Sequence, residues 1–231
     1  MAIPENIQQV RARIAAACAA ADRPVQSVTL LAVSKTFADH AVRAAWGAGQ
    51  RAFGENYAQE AVDKMDRLRD LRAAIEWHFI GPLQSNKTRV VAERFDWVHS
   101  VDRLKVAQRL SQQRPAQERP LQVTLQVNVS GEASKGGVAP DGVLALAHAV
   151  AALPRLRLRG LMSIPEPADD PVLQRRPHAL LRGLLEELER GGLDVDTLSM
   201  GMSADLEAAI LEGATIVRVG TSIFGTRGRQ A

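Results

Sequence analysis

Residues 30–36, Leu30-Leu31-Ala32-Val33-Ser34-Lys35-Thr36, read as a β-strand, an apolar run that ends abruptly in a lysine. An ammonium is expensive to bury, and burial pushes its pKa down. A lysine at the end of a buried strand therefore pairs with an anion, or serves as an amine nucleophile, or is simply the first solvated residue of the next loop. The stretch alone leaves all three open.

Outward from this strand the chain alternates. A helix over 3–22 precedes it, with Ile3, Ile7, Val10 and Ile14 on one face, and Arg23-Pro24 ends that helix. Apolar runs at 28–34, 51–54, 77–80, 97–100, 121–129, 158–164, 197–200 and 215–219 predict strands. Helical patterns fall between them at 39–48, 57–71, 86–93, 102–112, 140–153, 173–190 and 204–212. Asp39, Asp102 and Ser203 are the expected caps, and Gly49 and Gly191-Gly192 are expected stops. Short apolar strands alternating with helices argue for a parallel sheet. Eight of them predict an α/β chain folded as a single (β/α)8 barrel over residues 1–231, with an extra N-terminal helix. A doubly wound open sheet competes. No Gly-x-Gly-x-x-Gly follows the first strand, which weakens its dinucleotide-binding form.

Composition narrows the function classes. The net charge is only +3 and the basic residues are spread without a block, so no nucleic-acid partner is expected. No apolar run approaches the roughly 20 residues that span a bilayer, and no signal peptide is visible. The one cysteine, Cys18, excludes a disulfide framework within the chain and a cysteine-built zinc cluster, and suits a cytoplasmic location. Lysine is scarce: Lys35, Lys64, Lys87, Lys105 and Lys135 are all there are, while arginine supplies most of the positive charge, so each lysine is a candidate for a specific role.

In a barrel the C-terminal strand ends converge on one site. Here they carry Lys35, Asn56, His78, Ser100, Asn128, Ser163, the Met200-Gly201-Met202-Ser203 turn, Arg218 and Gly220-Thr221. The set has no carboxylate pair and no metal-ligand spacing, so it suits an anion and carbonyl binder and no metal is expected. Ser203 before a helix and Gly220-Thr221 after the last strand place donors where barrels commonly hold a phosphate. Ordinary capping would explain each singly. With Lys35 on the neighbouring first strand, a phosphorylated aldehyde held as a Schiff base fits, and pyridoxal 5′-phosphate is one. Arg218 could then face the pyridine nitrogen and keep it unprotonated. His78 and His99 read as hydrogen-bonded structural residues, and Lys87 and Lys135 as solvated loop cations.

Residues 30–36 (LLAVSKT), 53–57 (FGENY), 77–87 (WHFIGPLQSNK), 99–103 (HSVDR), 126–137 (QVNVSGEASKGG), 160–165 (GLMSIP) and 198–227 (LSMGMSADLEAAILEGATIVRVGTSIFGTR) resemble the pyridoxal phosphate homeostasis protein family, which is similar to the N-terminal barrel of alanine racemase. The resemblance spans nearly the whole chain in order. It implies a barrel with pyridoxal phosphate on Lys35, phosphate contacts around Met202, Ser203, Gly220 and Thr221, Arg218 near the pyridine nitrogen, and Asn56 close to the ring. Phe37-Ala38, where a proline is frequent, and Gly136, where serine is frequent, depart from the pattern.

The resemblance also implies a protein that buffers or delivers the cofactor, with apo forms of pyridoxal phosphate enzymes as recipients and no catalytic residue of its own. The alternative is a racemase or related enzyme with weak one-base activity. A racemase needs a second acid/base group opposite the lysine. The only tyrosine, Tyr57, reads as a core or rim residue, and about ten residues follow the last strand, so no added β-domain is expected to supply another. A cofactor-free aldolase using Lys35 is a third reading. With no large apolar stripe in view, a monomer is expected.

Overall fold

The computed structural model describes residues 2–131 and 136–225. Eight parallel strands close into a barrel in chain order: β1 (Thr29–Val33), β2 (Ala52–Glu55), β3 (Glu76–Phe79), β4 (Trp97–Val101), β5 (Leu121–Gln126), β6 (Leu156–Met162), β7 (Thr197–Ser199) and β8 (Ile216–Val219). The ring closes where β1 pairs with β8, with Ala32 opposite Val219. That register sets Gly220 beside Val33, two residues before Lys35, at one mouth. The closed ring excludes the open doubly wound sheet.

Strand alternation divides the interior. Leu30 and Ala32 face the helices and join the large outer core, while Leu31 and Val33 point into the lumen with Ala52, Ile80, Trp97 and Ile216. Each fully buried Phe53 or Leu110 stabilises by about 1.5–3 kcal/mol. The lumen is not wholly apolar. His78, His99, Thr124, Ser163, Ser199 and Arg218 are all buried.

The helices are α1 (Ile3–Ala20), α2 (Asp39–Gly47), α3 (Ala58–Arg67), α4 (Thr88–Arg94), α5 (Leu104–Gln113), α6 (Val143–Ala151), α7 (Pro171–Arg190), α8 (Leu206–Leu211) and α9 (Thr221–Phe224). The helix before the first strand, α1, buries Ile7, Val10, Ile14, Ala17 and Cys18 and packs against α2, α8 and α9. Its polar face holds the mouth. Arg13 donates to both Glu207 oxygens (2.7 and 2.8 Å) and to Ser203 O (3.0 Å), and Asn6 Nδ2 donates to Ile223 O (2.8 Å).

Three expected caps are corrected. Ala38 and Arg103 take the cap positions before α2 and α5, because arginines claim the neighbouring carboxylates: Arg67 Nε donates to Asp39 (3.1 Å) and Arg103 Nη1 to Asp102 (2.7 Å). The helix expected from residue 204 starts at Leu206, with Asp205 rather than Ser203 at its cap position. The fifth strand stops at Gln126, three residues short of expectation; beyond it Val127 N still donates to Met162 O (2.8 Å), and Val127 pairs with Val138 as an isolated bridge.

Candidate functional site

Lys35 follows a strand end that is gripped on both sides. Ser34 is buried, and its Oγ donates to Glu55 Oε1 (2.6 Å). Lys64 Nζ donates to that same carboxylate oxygen (2.5 Å) and to Ser34 O (2.8 Å). Thr36 N donates to Glu60 Oε1 (2.6 Å), and Lys64 reaches Glu60 at 3.3 Å. Thr36 has φ +66°, a left-handed conformation that a β-branched residue adopts only under constraint. The buried Lys64–Glu55 pair, together with the partly exposed Glu60, supplies that constraint and so fixes the backbone on either side of Lys35. Burial raises the Glu55 carboxyl above its ordinary range, against the pull of Lys64 and Ser34.

The mouth holds a cavity of about 320 Å³. All seven residues expected at the ligand line it: Lys35, Asn56, Met202, Ser203, Arg218, Gly220 and Thr221. Ile80 and Ile164 supply apolar wall. A neighbouring cavity of about 540 Å³ shares Asn56, Ile80 and Ile164 and extends past Ser100 toward Arg103.

The wall from β7 and β8 is a pair of turns. Gly201 has φ +91°, and a Cβ on it would lie 2.5 Å from that of Ala209, so the turn after β7 needs glycine. Its carbonyl accepts from Arg218 N (2.9 Å), which joins the two turns. Asp205 Oδ1 accepts from Met202 N (2.7 Å) and Oδ2 bonds His178 (3.0 Å). Burial alone would raise Asp205, yet the bonds from His178 and Met202 N hold it below the usual carboxylate range. Met202 therefore offers the cavity its side chain and not its amide. Ser203 and Thr221 hydroxyls hold no hydrogen bond among the described residues, and a Cβ on Gly220 would lie 3.2 Å from Val33 O. Phe37, a departure from the family pattern, stacks on Phe224 at 5.1 Å and ties the loop after Lys35 to α9.

Arg218 is buried beneath this wall. Nη1 donates to Ser199 O (2.6 Å) and Oγ (2.9 Å), and Nη2 to Ser163 O (2.8 Å). Three of its five N–H groups are thus engaged, and Arg218 also lines the cavity. Burial lowers the guanidinium to about 10, which leaves it a cation at neutral pH. Asn56 Oδ1, at the cavity, is buried without a hydrogen-bond partner among the described residues. An orphaned polar atom beside a cavity fits a polar ligand there.

Other expectations fall elsewhere. His78 and His99 do not line the cavity and bond each other in the lumen. Tyr57 is half exposed at the cap of α3 and does not line it either. Lys87 sits at the cap of α4, and Lys135 lies outside the described residues. Sequence reasoning missed Glu55, Glu60 and Ser199. Lys64 carried a visible signal: it falls on the apolar stripe of Ala61, Met65 and Leu68, where a cation must have a buried partner.

The family described as alanine racemase, N-terminal domain, matches residues 2–228. The pyridoxal phosphate homeostasis protein of Pseudomonas aeruginosa is 62% identical over 225 residues, covering 97% of this chain and 96% of that protein. The protein of the same name from Escherichia coli K12 is 52% identical over 226 residues, covering 97% of each. Among solved structures, PipY of Synechococcus elongatus PCC7942 with PLP bound is 37% identical with a TM-score of 0.84, covering 96% of this chain and all of that one. Alanine racemase from Corynebacterium glutamicum shares the fold at a TM-score of 0.72 and 18% identity, and this chain covers 60% of it.

Proposed function

The chain belongs to the pyridoxal phosphate homeostasis protein family, and from that premise we propose that it binds pyridoxal phosphate in the cavity beside Lys35, holding it covalently and releasing it to other proteins. The observation that carries this is the convergence of an amine, a fixed cation and unengaged hydroxyls on one cavity of about 320 Å³. That volume lies at the small end of the ~300–1,000 Å³ range of small-ligand pockets.

When bound, pyridoxal phosphate supplies an aldehyde that condenses with an amine, and a ring that can withdraw electrons. Lys35 offers the amine from a clamped backbone. Ser203, Thr221 and the amides of the Gly220 turn offer donors to a phosphate. Arg218, cationic and donor-only, would meet the pyridine nitrogen and disfavour its protonation, which would weaken the ring as an electron sink. Asn56, at the same cavity, would lie close to the ring.

We read the site as a carrier's rather than a catalyst's: the described lining of this cavity holds Lys35 and Arg218 but no tyrosine, histidine, aspartate or glutamate. Recipients are apo-enzymes that use the same cofactor. No helix of the described residues is long and apolar enough to cross a membrane, and the buried free thiol of Cys18 suits a reducing cytoplasm. We take the chain to act as a monomer there.

The test is the visible absorbance of purified wild type and Lys35→Ala, followed by borohydride reduction and peptide mass mapping. Wild type is expected to show a cofactor band and a pyridoxyl mass on the Lys35 peptide, and Lys35→Ala to show neither. A wild type that stays colourless after incubation with pyridoxal phosphate refutes the assignment. Activation of an added apo-enzyme without exchange of amino-acid α-hydrogen then separates carrier from racemase.

A further inference from the structure

Four hydrogen bonds run through the barrel lumen from Arg218 to the opposite face. Arg218 Nη1 lies 2.9 Å from Ser199 Oγ, Ser199 Oγ 2.8 Å from His99 Nδ1, His99 Nε2 2.9 Å from His78 Nδ1, and His78 Nε2 2.8 Å from Glu76 Oε1. Ser199, His99 and His78 are buried, and Glu76, the first residue of β3, is half exposed. Glu76 lines a cavity of about 500 Å³ at the far end of the barrel, together with Arg11 and Arg51.

With neutral rings, the two ends set one direction on the chain. A guanidinium can only donate, so Ser199 Oγ accepts from Arg218 and has its own proton free for His99 Nδ1. A carboxylate can only accept, so His78 Nε2 carries a proton for Glu76. A neutral His78 then accepts at Nδ1, which requires a proton on His99 Nε2. With both rings neutral, each is protonated at Nε2 and every proton points from Arg218 toward Glu76. Burial above all pushes His99 well below the usual histidine range, in keeping with a neutral ring. The bond from His78 holds Glu76 below the usual carboxylate range.

Packing restrains the His78 ring, and a hydrogen bond holds the His99 backbone. Trp97 stacks on His78 at 5.3 Å with planes 9° apart, and the Arg159 guanidinium lies 4.9 Å over Trp97. Thr124 Oγ1 donates to His99 O (3.1 Å). Three buried polar side chains in a row are costly to desolvate, and a core of apolar residues would serve stability alone as well.

We propose that Glu76, His78, His99 and Ser199 are positioning residues for the cofactor site: their one-way hydrogen-bond relay, anchored by a carboxylate on the far face, fixes the Arg218 guanidinium in the orientation that meets the ligand's ring nitrogen. The relay rests on the pyridoxal phosphate reading for its purpose. Its geometry belongs to the cofactor-free chain and is open to test without ligand.

The experiment uses heteronuclear NMR of nitrogen-labelled histidine and arginine side chains in cofactor-free protein, and titration with pyridoxal phosphate, for wild type, Glu76→Ala, Glu76→Gln and Ser199→Ala. Wild type is expected to report Nε2-protonated neutral rings for both histidines. Glu76→Ala, at a half-exposed position, is expected to move the His99 and Arg218 signals two or more bonds away from the change. Pyridoxal phosphate affinity is expected to weaken about tenfold in Glu76→Ala and Ser199→Ala, as for loss of one charge-assisted bond, with Glu76→Gln retaining most of it through its carbonyl. An Nδ1-protonated ring in wild type, or Arg218 signals unmoved in Glu76→Ala, overturns the relay. So does equal affinity across the wild type and the variants. A wild type that takes up no pyridoxal phosphate instead overturns the functional reading, and the relay's purpose with it.

Discussion

Lys64→Met is expected to lower the unfolding free energy by about 3–5 kcal/mol, the scale for removing one partner of a buried ion pair. Methionine keeps the apolar stem, so the loss reports the ammonium with its hydrogen bonds to Glu55 and Ser34 O. Both Lys64 and Glu55 side chains are 0% exposed. In the variant Glu55 keeps only the Ser34 hydroxyl, and its Oε2 already lacks a partner among the described residues. The variant relieves this by protonating Glu55.

The pH dependence follows. Burial raises the Glu55 pKa in the fold, and the Lys64 charge works against that rise. A carboxyl with a raised folded pKa contributes stability that is fully present below its unfolded pKa and lost as pH rises through the folded value. Removing Lys64 moves the folded value higher still and widens that window upward. The deficit of Lys64→Met against wild type is therefore expected to be smallest in acid and to grow toward neutral pH in urea unfolding. A deficit that is flat with pH would assign the loss to packing instead. Lys64→Met combined with Glu55→Leu is expected to recover much of the stability, since two apolar residues can replace a buried pair. That double variant would still free Ser34, and with it the backbone before Lys35, so cofactor affinity should stay impaired when stability returns.

The barrel was legible because its strands are short apolar runs with helical patterns between them, and the order of a closed parallel barrel is the order of the sequence. Leu30–Val33 and Ile216–Val219 could be read as strands separately; the fold rule made them neighbours and brought Lys35 and Gly220 to one cavity. The seven residues around the cavity were legible for the same reason, as strand-end residues need only the fold to meet. Helix starts were less so. The run Ser203-Ala204-Asp205 offers two capping residues, and His178 on α7, a tertiary partner, decides where Asp205 sits. The lumen chain was least legible. Alternation puts Glu76 with His78, and Trp97 with His99, on common faces. Whether such a face points into the lumen or toward the helices cannot be read from four- or five-residue strands buried on both sides. Ser199 joins β4 to β8 only across the closed barrel.

Gly160→Ala is expected to be the most damaging change of a single methyl group. Gly160 lies within β6 with φ +149°, paired with Thr124 on one side and Thr197 on the other. The register of β5 against β6 shifts just before it. A Cβ here would lie 2.0 Å from Thr197 O and 2.9 Å from Thr197 C, both backbone atoms that cannot turn aside. Strain at a glycine-only conformation costs about 1–3 kcal/mol and overpacking about 1–3 kcal/mol more. At about 2–4 °C per kcal/mol for a chain of this size, the melting temperature should fall by roughly 10 °C. The damage should also reach the cavity. The strand pushed away, β7, is only three residues long and ends in Ser199, whose carbonyl and hydroxyl hold Arg218. Pyridoxal phosphate affinity of the folded fraction is therefore expected to drop along with stability. Gly183→Ala, on α7 with nothing within 4 Å of its would-be Cβ, is the matched control and should stabilise by about 0.5–1 kcal/mol. Calorimetry of the two variants decides the matter: melting temperatures for Gly160→Ala and wild type within about 2 °C would mean that β6 and β7 can part at little cost, and that the narrow approach at Gly160 does not hold Arg218 in place.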